Sequence, residues 1–155
     1  MYKRIVLAYD GSKEGRATLR EGALLAKQHG AKVFLLSVVA DSAAMAAAEG
    51  THAGAVSVQE SSYAAVLADG LQHLEKLGFT AQAKLVRGQP AKAIAAFAKE
   101  IGADLVVVGH RRQSMFSRWW FGPTAGYLSD HVECSVLVAR SAISDEAFES
   151  EFNKG

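Results

Sequence analysis

The segment from Asp104 to Arg140 most constrains the fold of this chain, because two short apolar runs enclose a long loop and one helix. The first run, Leu105–Val108, and the second, Ser135–Ala139, contain almost only aliphatic side chains. Unbroken apolar runs of this length are typical of parallel strands that are buried on both faces. The residues from about Thr124 to His131 are predicted to form the helix between them. The segment therefore indicates an α/β domain.

Two glycines in this segment mark a candidate anion site. Gly109 directly follows the first apolar run, and the lack of a side chain lets another group approach the backbone there. Gly122 precedes the predicted helix, whose free N–H groups and positive dipole end face the same space. A glycine at a strand end beside a helix N-terminus can cradle a phosphate group.

Strands and helices alternate through the rest of the chain. We predict strands at Lys3–Ala8, Lys32–Val39 and Thr80–Arg87, and helices from Ser12 to His29, from about Val58 to Leu77 and from Pro90 to Ile101. Apolar and polar residues alternate in the third strand, as is typical of an edge strand with one wet face. Five strands and four helices in alternation predict a Rossmann-like, three-layer α/β domain, with parallel strands joined by right-handed crossovers.

Two segments lack the pattern of apolar and polar residues that indicates a helix or a strand. Ala40–Gly54 is rich in small residues without periodicity, and we interpret it as a spacer loop rather than a lid over a site. Residues 141–155 form an acidic tail that we expect to be frayed, which leaves residues 1–140 as the single folded domain.

Composition excludes several classes of protein. The formal net charge is +1, which argues against a nucleic-acid surface or a membrane-seeking patch. No apolar run approaches the roughly 18 residues that cross a bilayer. The N-terminus runs directly into a predicted strand, so we expect no signal peptide and a cytoplasmic location.

Motifs of catalysis are also missing from the sequence. There is no G-x4-G-K-[S/T] loop and no G-x-G-x-x-G after the first strand, and the third strand does not end in the Asp that a response-regulator receiver needs. The five histidines are scattered without ligand spacing, so no metal site is predicted. Cys134 has no base near it in sequence and is predicted to be a buried, inert thiol. We therefore predict that the chain is not an enzyme.

The spacing of Gly109 and Gly122 resembles the signature G-2x-G-9x-G-[S/T] of the nucleotide-binding universal stress proteins. In this chain, Arg112 stands where the second glycine of that signature belongs, and Pro123 stands where its Ser or Thr belongs. The opening YKRIVLAYDGS and the segment VRGQPAKAI are similar to the same family. The resemblance thus covers about residues 2–140.

This resemblance implies an open sheet with strand order 3-2-1-4-5 and a crevice between strands one and four at the carboxyl edge. The ligand implied is ATP or AMP, with Mg²⁺ only as a companion of the nucleotide. The residues expected to bind it are Ala8, Tyr9, Asp10, Val38, Val108, Gly109, Arg111, Arg112, Gly122, Pro123, Thr124 and Ala125.

Several of these roles have an alternative. Asp10 either hydrogen bonds to a ribose or base, or caps its own turn through Ser12 and Lys13. Arg111 and Arg112 either bind phosphate or belong to a solvated loop. The alternative for the whole chain is a stress-protein dimer that binds no nucleotide and acts through protein partners.

The fifth strand is predicted to be the edge opposite the third. Val136, Leu137 and Val138 leave this edge apolar and without proline or charge, which is a pairing hazard unless the edge is covered. Many family members pair this strand with its copy, so we expect a homodimer with two-fold symmetry. The competing interpretation is that the tail, through Ile143, Phe148 and Phe152, folds back over the edge in a monomer.

Overall fold

Five parallel strands form one sheet with the order β3-β2-β1-β4-β5, which confirms the predicted topology. A computed structural model describes residues 1–40, 53–109, 123–140 and 143–154 of the chain. The strands are β1 (Arg4–Ala8), β2 (Lys32–Ala40), β3 (Gln82–Gly88), β4 (Leu105–Gly109) and β5 (Ser135–Ala139). The two predicted edges, β3 and β5, are the edges observed.

The described helices cover both faces of the sheet. They are α1 (Lys13–His29), α2 (Ala53–Lys76), α3 (Pro90–Ile101), α4 (Pro123–His131) and α5 (Asp145–Asn153). Helices α1, α2 and α5 pack on one face, and α3 and α4 pack on the other. None of these helices is long and apolar enough to span a bilayer.

Alternation along β1 divides the core into two clusters. Ile5 and Leu7 belong to the cluster beneath α1 and α2, whereas Val6 and Ala8 belong to the cluster beneath α3 and α4. All four are nearly or fully buried. Strand β1 is therefore buried on both faces, as its apolar run predicted.

Asp104 joins β1 and β4 at their amino ends. Its Oδ2 accepts hydrogen bonds from the backbone N–H groups of Lys3 and Arg4, at 2.7 and 2.8 Å. These bonds to the charged form hold the pKa of Asp104 below its ordinary value. Burial, with a smaller contribution from the Asp104 charge, raises the pKa of the nearby Cys134 thiol. A raised pKa disfavours the thiolate, in agreement with an inert cysteine.

Some predicted boundaries were wrong by a few residues. Helix α2 begins at Ala53 rather than Val58, because the small residues ahead of its apolar stripe are also helical. Strand β3 runs from Gln82 to Gly88, and α4 begins at Pro123. Most of the predicted spacer lies outside the described residues, at positions 41–52.

The expectation of a frayed tail was wrong for Asp145–Asn153. These residues form α5, whose N-terminus is capped by the Ser144 hydroxyl, which accepts a hydrogen bond from the Ala147 N–H at 3.2 Å. The tail packs along α1, whereas the competing interpretation placed it over the edge of β5. Phe148 is buried against that helix, which explains why a short acidic segment becomes helical here.

Candidate functional site

The site lies at the carboxyl edge of the sheet, where the order of the strands reverses. Strand β1 pairs with β2 on one side and with β4 on the other, so that Ala8 lies beside Leu36 and Val108. After β1 the chain enters α1 on one face of the sheet, whereas α4, the described helix that follows β4, lies on the other face. In open α/β sheets the ligand crevice lies where the strand order reverses in this way. Gly109 directly follows Val108, and Asp10 lies two residues after Ala8, so both leave the carboxyl edge of neighbouring strands. The predicted juxtaposition of Asp10 and Gly109 stays a prediction.

Asp10 is held by the turn that starts α1. Its Oδ1 accepts hydrogen bonds from the backbone N–H of Ser12 at 2.9 Å and from the Ser12 hydroxyl at 2.5 Å. The same hydroxyl accepts the Gly15 N–H at 2.9 Å and so caps the helix. Capping of its own turn through Ser12 is thus observed. A carboxylate has lone pairs for several further donors, so capping leaves the ligand role available.

Gly11 allows this turn to pack against α2. Its φ is 77°, a left-handed conformation that favours glycine, and a Cβ there would lie 2.8 Å from both methyl groups of Val66. The backbone beside Asp10 is therefore fixed by a contact with a distant helix.

Three of the predicted site residues contribute only backbone. Ala8, Val38 and Val108 have side chains that are at most 4% exposed and lie in the core cluster beneath α3 and α4. Ala8 and Val108 pair with each other, and Val38 lies two residues beyond the last β2 residue that pairs with β1. A ligand could therefore contact these three residues only through their main chain. The expected contact between Val38 and the nucleotide stays a prediction.

The phosphate side of the predicted site is described only in part. Arg111, Arg112 and Gly122 lie outside the described residues. Pro123, Thr124 and Ala125 form the first turn of α4, which starts at the carboxyl edge and runs back toward β5. Pro123 supplies no N–H, whereas the two residues after it keep theirs as donors at the helix N-terminus.

Sequence reasoning missed the role of the Tyr9 side chain. The residue is 1% exposed, and its hydroxyl donates to Oδ2 of Asp69 on α2 at 3.2 Å. Burial of the ring, followed by the Asp69 carboxylate, raises the pKa of Tyr9. A Cβ added at Gly15 or Gly70 would lie 3.1 or 2.7 Å from this ring, so both flanking helices touch it closely. The ring thus anchors the residue that precedes Asp10.

Ser37 was also missed. It is fully buried in β2, and its hydroxyl donates to the Tyr9 carbonyl at 2.7 Å. The Tyr9 N–H in turn donates to the Leu36 carbonyl at 2.8 Å. Both polar groups of the Tyr9 backbone are therefore tied to β2. A serine inside the apolar run FLLSVV was the signal that could have found this contact.

The residues predicted to form a dimer lie on the edge strand β5. Val136, Leu137 and Val138 are each partly buried. Leu137 packs against the core cluster beneath α1, and the two valines pack against the cluster on the other face. The apolar edge that the sequence predicted is present.

Within the described ranges, no group of three His, Cys, Asp or Glu side chains is arranged to hold a metal ion. Among the described residues, the predicted site contains backbone groups at the strand ends, the Asp10 carboxylate and the N-terminus of α4. These groups suit a ligand with hydroxyls, an aromatic edge and a phosphate.

The sequence model of the universal stress protein family matches residues 1–140 of this chain. The chain belongs to that family. A putative universal stress protein of Staphylococcus haemolyticus is 28% identical over 153 residues, which cover 97% of this chain and 92% of that protein.

Solved structures of other universal stress proteins share the fold. One from Archaeoglobus fulgidus, in complex with dAMP, has a TM-score of 0.65 at 22% identity and covers 90% of this chain and 98% of that one. One from Arabidopsis thaliana, with AMP bound, has a TM-score of 0.62 at 19% identity, with coverage of 94% and 98%. At these identities the likeness establishes the common fold.

Proposed function

We propose that this universal stress protein binds ATP or AMP in the crevice between β1 and β4, as a stress-response binding module without catalytic turnover. The observation that carries the proposal is the pairing of Ala8 with Val108 at the carboxyl ends of β1 and β4, just ahead of Asp10 and Gly109. The ligands named for the dAMP-bound and AMP-bound relatives support an adenine nucleotide.

Each part of the nucleotide has a candidate partner. The Asp10 carboxylate accepts hydrogen bonds from ribose hydroxyls, and backbone groups at Val38 meet the adenine edge. The N–H groups of Thr124 and Ala125, together with Arg111 and Arg112, bind the phosphates. Any Mg²⁺ enters with the nucleotide.

The missing catalytic groups support binding without turnover. The carboxylate at the crevice is engaged by Ser12, and the sequence offers no nucleophile with a base and an orienting group. We further propose a cytoplasmic homodimer that pairs β5 with its copy, because residues 136–138 form an apolar edge.

Thermal unfolding with and without nucleotide tests this function. A ligand present at about a hundred times its Kd stabilises the folded state by about 2.7 kcal/mol. For a chain of this size, that gain corresponds to a rise in Tm of roughly 5–10 °C. We expect AMP or ATP to produce the rise and GMP to produce less, because the backbone groups of β2 read the adenine edge.

A second candidate function is supported by Pro123 at the start of α4. Proline removes one N–H from the helix N-terminus that would bind phosphate. If this loss prevents phosphate binding, the chain is a dimer that binds no nucleotide and acts through protein partners. An unchanged Tm with AMP and ATP at about 5 mM would favour this function over nucleotide binding.

A further inference from the structure

Helix α5 presents one apolar side to the body of the protein. Phe148 is 7% exposed and belongs to the core cluster, and Phe152 packs against the same cluster. The two ring centroids are 5.4 Å apart, one helical turn along α5. Glu146, Glu149 and Glu151, in contrast, are exposed. The helix is thus acidic on its outer side and aromatic on its inner side.

Two cations of α1 hold the two ends of this segment. The Arg20 guanidinium lies 6.0 Å from the centre of the Phe148 ring, and its Nη1 donates to the Ile143 carbonyl at 2.5 Å. The Lys27 ammonium lies 4.4 Å from the centre of the Phe152 ring and donates to the Phe152 carbonyl. Each cation therefore combines a cation–π contact with a hydrogen bond to the main chain.

The surface beneath α5 is a defined stripe of α1. Ala17, Arg20, Leu24 and Lys27 recur at spacings of three, four and three, so they share one side of the helix. This side adjoins the one that carries Ala23 and Ala26 into the core, and Ala17 and Leu24 pack against the same core cluster. Phe79 extends the stripe, since its ring meets that of Phe152 edge to face at 6.1 Å. We call Ala17, Arg20, Leu24, Lys27 and Phe79 the docking face.

Helix α5 owes its structure to this docking face. It has nine residues, and an isolated helix of that length is marginal in water. It also lies beyond residue 140, where the match to the family model ends. A short terminal element with contacts on one side opens at a lower free energy than the sheet unfolds. The tail can therefore leave the docking face while the domain stays folded.

We infer that the docking face is a binding site for an acidic amphipathic helix of a partner protein, and that α5 occupies it until such a helix displaces it. The partner helix carries two phenylalanines one turn apart, which fill the places of Phe148 and Phe152. Acidic residues flank these rings, as Glu149 and Glu151 do in α5, and the positive charges of Arg20 and Lys27 repel a basic partner. Recognition of this kind is the docking of an amphipathic helix into a groove.

A full-length variant with a released tail tests this site. Replacing both rings (Phe148→Asp with Phe152→Asp) vacates the docking face, and a fluorescein-labelled peptide of residues 143–154 serves as the probe. In fluorescence anisotropy, we expect the variant to bind the peptide at least about tenfold more tightly than the wild type, in which the tethered tail competes at high effective concentration. A peptide with both phenylalanines changed to Ala should not bind.

Charge substitutions added to the released-tail variant show where on the protein the peptide binds. Arg20→Glu is expected to remove peptide binding, whereas Lys99→Glu, on α3 at the opposite face of the sheet, should leave it unchanged. Failure of the folded released-tail variant to bind the peptide would overturn the site. Peptide binding that survives Arg20→Glu would overturn it as well.

Hydrogen exchange of the wild type provides a second test that needs no variant to fold. We expect the amides of α5 to exchange at least about a hundredfold faster than those in the middle of α1. Equal protection of the two helices would show that α5 is a permanent part of the core and would refute displacement.

Self-association of the wild type that requires Phe148 would identify a second copy as the occupant and would refute the foreign partner. None of these results depends on nucleotide.

Discussion

Replacing Gly22 with Ala is expected to lower the free energy of unfolding by about 1–3 kcal/mol, as overpacking of a core does. A Cβ at this position would lie 2.2 Å from Cδ2 of Leu7. Leu7 is fully buried in β1 and has no room to move aside, so α1 would have to lift from the sheet. Equilibrium unfolding in urea measures the change.

Gly126→Ala is the matched control for this substitution. It places the same methyl group on a helix, but beyond its own helix turn no heavy atom of the described residues lies within 4 Å of the added Cβ. Alanine has the better helix propensity, so this variant should gain about 0.5–1 kcal/mol. If Gly22→Ala were also to gain stability, the close contact between α1 and β1 described here would be wrong.

Replacing Val136 with Pro is expected to convert a homodimer into a folded monomer. The Ser135 N–H donates to the Asp104 carbonyl on the β4 side at 3.1 Å. Because backbone groups alternate in direction along a strand, the Val136 N–H faces the open edge, where a second copy would pair. Proline removes that donor without breaking a bond between β4 and β5. Sedimentation at micromolar concentration measures the change.

Val136→Ala is the control, because it removes side-chain atoms but keeps the N–H group. This variant should remain dimeric. Substitution of Leu137 is less informative, since Leu137 also packs against the core cluster and a charge there affects folding. A wild type that sediments as a monomer would contradict pairing through β5.

The fold could be predicted because local signals agreed with the tertiary structure. The apolar runs of β1 and β4 are buried on both faces, as their composition indicated. Helices α1 and α3 were predicted to end at His29 and Ile101, and they do, because Gly30 and Gly102 follow with positive φ at the C-caps. Strand order came from the family resemblance.

What could not be predicted depends on contacts between distant residues. The hydroxyl of Tyr9 meets Asp69, 60 positions away, and no local pattern encodes that pair. Helix α5 escaped prediction because Phe148 and Phe152 are sparse among acidic residues, and only the docking face on α1 makes the segment helical. The N-terminal turns of α2 were not predicted, because the small residues there show no hydrophobic periodicity.

Isothermal titration of AMP into the wild type and into Asp10→Asn tests the central claim most directly. Asparagine keeps an oxygen that can accept the hydrogen bonds of Ser12, so the turn is preserved while the negative charge is lost. Loss of a hydrogen bond to a charged group costs about 1.5–3 kcal/mol, which predicts binding at least about tenfold weaker in the variant. One adenine nucleotide bound per chain of the wild type, with that loss in Asp10→Asn, is the expected result. No binding of AMP or ATP to the folded wild type, or equal affinity in both proteins, would contradict a nucleotide site at Asp10.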